Sequence, residues 1–353
     1  MATTGSERTG PISDPAARAG AAPTPGSAAS RLERASLKKT PGYLARSWRR
    51  FRRNKLSMVA MVVFIFMVLF SFGAPVVSRF ITKQTYETQN LLYHFTPPGK
   101  TVPGIDFSRP GGGAVSNKHW LGSDELGRDV LTRLSYGGRI SLTVSFMALA
   151  AALTIGLLIG AMAGFYGGRL DNVLMRLVDV FISIPGLFVL ILISSMVNNN
   201  KIITQTAFYR QASWLVLPLV IAALGWTTIC RLIRGEFLAI KSRDYIEAAR
   251  VVGANDSRII FRHILPNVVP IIIIWATLVI PALILTEAAL SYLGFGVQIP
   301  TPSWGNMLTN STEYFSRAAY LVILPGLAIY VTVLSVNLMG NGLRDALDPR
   351  LND

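Results

Sequence analysis

Apolar residues recur along this chain in six long runs, at 56–77, 141–165, 177–197, 214–233, 268–292 and 320–343, each bounded by polar stretches. At 1.5 Å per residue, a helix of some 20 residues crosses about 30 Å of hydrocarbon, so each run is long enough to span a bilayer. The pattern therefore predicts an all-α polytopic membrane protein with six transmembrane helices. Within the second run, Gly156, Gly160 and Gly164 repeat at small-xxx-small spacing, which suits a close-packing helix face. Pro185, Pro218, Pro281 and Pro325 interrupt four of the runs and predict kinks.

The polar stretches divide the rest. Residues 1–40 are rich in Ala, Gly, Pro, Ser and Thr and lack an apolar run able to offset ordering entropy, so a disordered tail is expected. The first apolar run starts too late for this tail to be a cleaved signal peptide. Residues 41–55 read as a basic amphipathic segment, in which Trp48 and Phe51 fall on one side of a helix among Arg46, Arg49, Arg50, Arg52, Arg53 and Lys55. Such a segment suits the headgroup region of an anionic leaflet.

Charge orients the chain. Lys and Arg number 34 against 19 Asp and Glu, and residues 1–55 hold 12 of the basic and 3 of the acidic side chains. A basic excess just ahead of a span reads as an orientation signal rather than as a nucleic-acid surface, and it puts the N-terminus in the cytoplasm. Six spans return the C-terminal tail, 344–353, to the same side. The loop 234–267 then faces the cytoplasm with six Arg/Lys, whereas the loop between the third and fourth runs carries only Lys201 and Arg210, as the positive-inside rule requires. Residues 78–140 fall outside the cell. A charged fraction of 15%, against about 25% in ordinary soluble domains, excludes a typical cytosolic enzyme. With one cysteine, Cys230, and three histidines, no intrachain disulfide forms and a His/Cys metal site is not expected.

Two polar segments carry chemistry. In the loop 234–267, residues 244–252 predict a short helix with Glu247 at helical spacing from Arg243 and Arg250, stopped by Gly253. Asn255 or Asp256 caps a second helix, interrupted by Pro266. Two short helices on a glycine turn make a knob whose small Ala248 and Ala249 admit another surface; an ordinary interfacial hairpin is the alternative. The second segment, 119–139, predicts an amphipathic helix capped by Ser123 or Asp124, striped by Leu126, Val130 and Leu134, ended by Gly137 and Gly138, with Asp129 and Arg133 paired at i, i+4. It serves either as a lead-in to the second span or as part of a gate.

The first segment resembles the EAA loop of binding-protein-dependent ABC importer permeases: Glu247, Ala248, Ala249, then Gly253 and Ala254, then Leu265 and Pro266, with His263 where that family usually has isoleucine. The second, with Gly122, Asp124, Gly127, Arg128 and Asp129, resembles the C-type subunit of the oligopeptide, dipeptide and nickel branch, as do residues 286–297 and 302–307. The resemblance implies a type I importer permease fold and a loop that docks in a groove of an ATP-hydrolysing subunit. It implies as partners a B-type permease, one or two ATPase subunits and an extracytoplasmic peptide-binding protein, in a bacterial plasma membrane. The solute implied is a di- or oligopeptide, with a nickel chelate as the rival.

Glu287, with Ser291 one turn on, lies inside the fifth run; a carboxylate there belongs in a bundle interior or against water, either lining a solute path or holding the outer loop. Asp179 is expected to pair with Arg176 at i, i+3. No phosphate-binding Gly-x-x-x-x-Gly-Lys-Ser/Thr loop, Gly-x-Ser-x-Gly elbow or His-Glu-x-x-His helix occurs. ATP and Mg²⁺ are thus expected in partner subunits, with no cofactor or metal held by this chain and no catalytic residue.

Overall fold

The computed structural model describes residues 43–105, 114–206 and 213–347. The expected tail 1–40, Arg210 and the end of the C-terminal tail lie outside the described residues. The helices that organise the chain are α1 (Tyr43–Arg53), α2 (Lys55–Phe72), α3 (Val130–Tyr166), α4 (Gly168–Ser183), α5 (Gly186–Asn199), α6 (Val216–Lys241), α7 (Asp244–Val251), α8 (Leu265–Tyr292) and α9 (Tyr320–Leu347). A two-stranded antiparallel hairpin, β1 (Thr101–Ile105) and β2 (Ala114–Lys118), pairs Thr101 with Lys118 and Ile105 with Ala114. The hydrophobic pattern gave no sign of it.

Among the described residues, five helical stretches are long and apolar enough to cross a membrane: α2, α3, α6, α9, and α8 together with its lead-in from Asp256. The sixth is broken. Neither α4 nor α5 suffices alone, and the pair bends by 86° at Ile184 and Pro185, where a straight span over 177–197 was expected. Proline lacks an N–H and drives the preceding residue out of the helical region, and Ile184 has φ −96° and ψ 134°.

Packing follows the small residues. A Cβ on Gly156 would lie 2.3 Å from Ile229 Cγ2, one on Gly160 2.5 Å from Cys230 O, and one on Gly164 2.6 Å from Phe237 Cβ. The glycine face of α3 therefore lies directly on α6, as its spacing predicted. Helix α4 is tied to α6 by two ion pairs, one near each of its ends. Asp171 takes Arg234 through Nε at 2.5 Å and Nη2 at 2.6 Å, and Asp179 takes Arg231 at 2.5 Å rather than the expected Arg176. Arg176 lies on the same helix, but the α4–α6 crossing brings a guanidinium nearer.

Helix α2 begins at Asn54, whose side chain accepts from Ser57 N at 3.2 Å, a regular N-cap. Ser57 Oγ in turn donates to Leu338 O of α9 at 3.1 Å. Phe51 is buried and lies 3.4 Å from the Cβ position of Gly342. Only Trp48, stacked on Phe51 with centroids 5.8 Å apart, stays half exposed. One of the two rings thus anchors α1 to the bundle instead of to lipid.

Candidate functional site

Helix α3 runs between two polar assemblies, one at the end of the bundle that holds β1 and β2, the other at the end that holds α7. We refer to these as the β end and the knob end.

At the knob end, α7 starts with Asp244 and Glu247 in its first turn, where carboxylates complement the helix dipole. It stops at Gly253, with φ +88°; Gly253 N donates to Arg250 O at 2.9 Å and Ala254 N to Ala249 O at 3.0 Å. A Cβ there would meet nothing within 4 Å, so the left-handed turn alone calls for glycine. Asn255 Oδ1 then accepts from Arg258 N at 2.9 Å, a second N-cap. The chain does not break at Pro266 as expected. A π-helical turn, Ile259–Ile264, precedes it, and Leu265 N reaches back to Ile260 O. The wider i→i+5 register absorbs the missing prolyl N–H, so the helix continues straight into α8.

The knob is rooted by Ile246, Ile259 and Ile264, all fully buried against Phe165, Ile233 and Phe237, with Ala254 half-buried beside them. Its tip is bare. Glu247, Ala248, Gly253 and Pro266 are exposed, Ala249 and Leu265 half-buried. Val251 and Val252 are 87% and 88% exposed, and Tyr245 and Phe261 are open too. Glu247 makes no ion pair with Arg243 or Arg250. Sequence reasoning passed over Tyr245, Val251 and Phe261, and set Val252 on the apolar side of the helix with Ile246 and Ala249, whereas Ile246 is buried and Val252 is open. The signal of the four open residues was apolar side chains on the face that also carries the charges.

At the β end, residues 122–128 are turns, not the expected amphipathic helix. Asp129 is the true N-cap of α3: its Oδ2 accepts from Thr132 N and Oγ1, both at 2.8 Å, and its Oδ1 lies 3.1 Å from His119 Nδ1. The helix runs through Gly137 and Gly138 without stopping. Those glycines instead admit Trp304, since a Cβ on Gly138 would sit 2.5 Å from its ring. Trp304 is fully buried; its Nε1 donates to Leu134 O at 2.9 Å and its backbone N to Ser141 Oγ at 3.1 Å.

With Asp129 occupied in capping, Arg133 turns to Asp124 (Nε–Oδ2, 3.3 Å), and the expected Asp129–Arg133 pair does not form. Asp124 Oδ2 also takes Arg128 Nε at 2.6 Å, while Oδ1 accepts from Leu126 N at 3.0 Å and Arg128 N at 2.9 Å. Arg128 Nη2 donates to Glu125 Oε1 at 2.8 Å. Asp124, Arg128, Asp129 and Arg133 are all buried. Gly122 (φ +87°) and Gly127 (φ +72°) set the turns, and a Cβ on Gly127 would fall 1.9 Å from Asn90 O. The Tyr320 hydroxyl from α9 closes the assembly at 3.0 Å from Thr96 O and 2.8 Å from Ser123 O. A cavity of about 320 Å³ opens beside it, bounded by Glu125, Arg133, Asn306 and Tyr314. Burial, with the nearby Glu125, Glu313 and Asp124 carboxylates, pushes the Tyr314 phenol up.

Glu287 lies beside the Trp304 segment of the β end, fully buried; Ser291 Oγ donates to its Oε1 at 2.7 Å and also accepts from Val297 N at 3.1 Å. Its Oε2 has no hydrogen-bond partner. The carboxyl faces the segment that carries Trp304 and does not border the cavity. Among the described residues, no group of three or more His, Cys, Asp or Glu is placed to hold a metal ion.

Five helices long enough to cross a membrane, a further helix pair bent at proline and a protruding two-helix loop define a multi-pass helical membrane protein of the permease kind. The chain belongs to the family of binding-protein-dependent transport system inner membrane components, whose model matches residues 156–353. Residues 42–98 match the N-terminal transmembrane domain of oligopeptide transport permease C. The chain is 35% identical over 302 residues to the oligopeptide transport system permease protein OppC of Bacillus subtilis (strain 168), covering 86% of this chain and 88% of that protein. It is 36% identical over 313 residues to the dipeptide transport system permease protein DppC of the same organism, covering 88% and 86%. The glutathione transport system permease protein GsiD of Pectobacterium atrosepticum is 35% identical, covering 86% and 90%. Among solved structures, an inward-facing form of the MetNI methionine ABC transporter is similar at 21% identity and a TM-score of 0.47, covering 61% of this chain and 96% of that one.

Proposed function

We propose that this chain is one of two permease subunits of an ATP-driven importer of di- and oligopeptides, and that the knob is the handle by which it is worked. The observation that carries the proposal is the knob's composition: a rigid, isoleucine-rooted base under an exposed tip of Glu247, Ala248, Gly253, Val251 and Val252. Exposed apolar patches rimmed by charge mark protein interfaces.

On this reading the knob end is cytoplasmic, both termini lie on that side, and the membrane is the bacterial plasma membrane. Glu247, Ala248, Ala249, Gly253 and Ala254, braced by Leu265 and Pro266, meet one of one or two ATPase subunits. ATP and Mg²⁺ bind there, and this chain moves solute without catalysing a reaction. A B-type permease completes the pore. A peptide-binding protein docks at the β end, whose shape is set by Gly122, Asp124, Gly127, Arg128 and Asp129. The burial of Glu287 and Ser291 against the Trp304 segment supports a bracing role for them. ATP-driven closure of the ATPases pushes the knob, and the spans rock between inward-open and outward-open arrangements. Peptide as the solute rests on what the relatives are named for.

Uptake of labelled di- and oligopeptides by proteoliposomes holding the whole complex tests the reading, with nickel chelate as a rival solute. Uptake should require ATP, and Gly253→Asp should abolish it. Uptake without ATP would indicate a channel; normal ATP-dependent uptake and ATPase association in Gly253→Asp would remove the coupling role.

A further inference from the structure

Phe165, in the last turn of α3, collects contacts that neither packing nor capping alone requires. Its carbonyl, one of those left without a partner at a helix C-terminus, accepts from Lys241 Nζ at the end of α6. Its ring lies within cation–π range of two charges, Lys241 Nζ at 5.6 Å and Arg250 Cζ at 5.9 Å from the centroid. The side chain is buried in the same cluster as Ile246 of α7. Arg250 also stands three residues after Glu247, a spacing that favours an ion pair, yet that pair is absent. The guanidinium lies over the ring instead.

We infer that Phe165 is the seat of the knob: a positioning residue that fixes α7 against the end of α3 through Arg250 and holds the end of α6, just ahead of α7, through Lys241, so that displacement of α7 is delivered to α3. This rests on the coupling role proposed for the knob. Phe165 does not touch solute or nucleotide; it sets the pose of the element that meets the ATPase. Cation–π contacts of about 0.5–1 kcal/mol each, summed over two, correspond to roughly a fivefold to thirtyfold change in the seated population.

The test uses the whole complex in proteoliposomes and reads peptide taken up per ATP hydrolysed. Phe165→Leu keeps an apolar filling but removes the ring face, and should lower that ratio at least about fivefold while ATPase association stays unchanged. Phe165→Tyr restores a face and should return the ratio to within twofold. Arg250 is exposed, so Arg250→Gln does not disturb the core. It should lower the ratio about twofold to fivefold, the share of one of the two contacts, and combined with Phe165→Leu it should add nothing further, because Phe165→Leu already removes that contact. Full coupling in Phe165→Leu, a Tyr variant as defective as Leu, or additive losses in the double variant would each overturn the seat. If Phe165→Leu fails to assemble, Arg250→Gln and Arg250→Lys decide the matter, with Lys expected to couple fully and Gln about twofold to fivefold less. Gly253→Asp separates the two readings: if it too couples normally, the role of the knob itself is lost, whereas uncoupling there with normal Phe165→Leu removes only the seat.

Discussion

Asp124 at the β end and Glu247 at the knob end are both carboxylates in short segments joining long helices, and their surroundings are opposite. Asp124 is 5% exposed and holds two guanidiniums and two backbone N–H groups; Glu247 is exposed and, among the described residues, pairs with no cation. The same contrast separates the glycines: Gly127 is walled in by Asn90, while Gly253 faces open space. One end completes its own hydrogen bonds and is finished when the chain folds. The other is finished only by a second molecule, so substitutions should register as lost stability at the first and as lost association at the second.

The largest expected effect is at Asp124. Asp124→Ala leaves Arg128 and Arg133 buried without their shared anion and should destabilise the purified chain by about 3–5 kcal/mol, read as a drop in thermal unfolding temperature. Gly127→Ala comes next. A left-handed non-glycine residue costs about 1–2 kcal/mol and the overlap with Asn90 O about as much again, whereas Gly253→Ala should show the first term alone. Equal losses at the two glycines would break the comparison. Trp304→Phe removes the bond to Leu134 O and should cost about 1 kcal/mol in the same assay. Smallest in stability is Val252→Ser, expected within about 0.5 kcal/mol of the parent, yet measurably weaker in co-purification with the ATPase. Stability lost at Val252 with association intact would reverse the assignment of the two ends.

Much of this was legible in the sequence, for local reasons. Six apolar runs, the glycine face of α3, the α7 helix and its stop at Gly253 depend on periodicity and on residues a few positions apart. What escaped depends on partners far along the chain. Asp129 and Arg133 have ideal spacing for a pair, but Thr132 N–H needs a cap and Asp124 waits in the turn, so the spacing rule lost to two stronger demands. Gly137 and Gly138 read as a helix end because nothing local announces Trp304, some 170 positions away. Pro266 looked like a break, since a π turn that accommodates it leaves no mark in composition. The β1–β2 hairpin falls in a polar stretch without alternation.

The bend at Pro185 carries a consequence for the solvent around the protein. Of the last carbonyls of α4 only Val180 O takes a partner within the helix, the Ser183 hydroxyl at 2.8 Å; the others, like the first amides of α5, lack an intrahelical partner, and in hydrocarbon each unsatisfied group costs several kcal/mol. Lipid tails are therefore the wrong neighbour for that corner. Wherever the span lies across the bilayer, its elbow calls for water or another protein surface as its neighbour, a polar point within the low-dielectric slab.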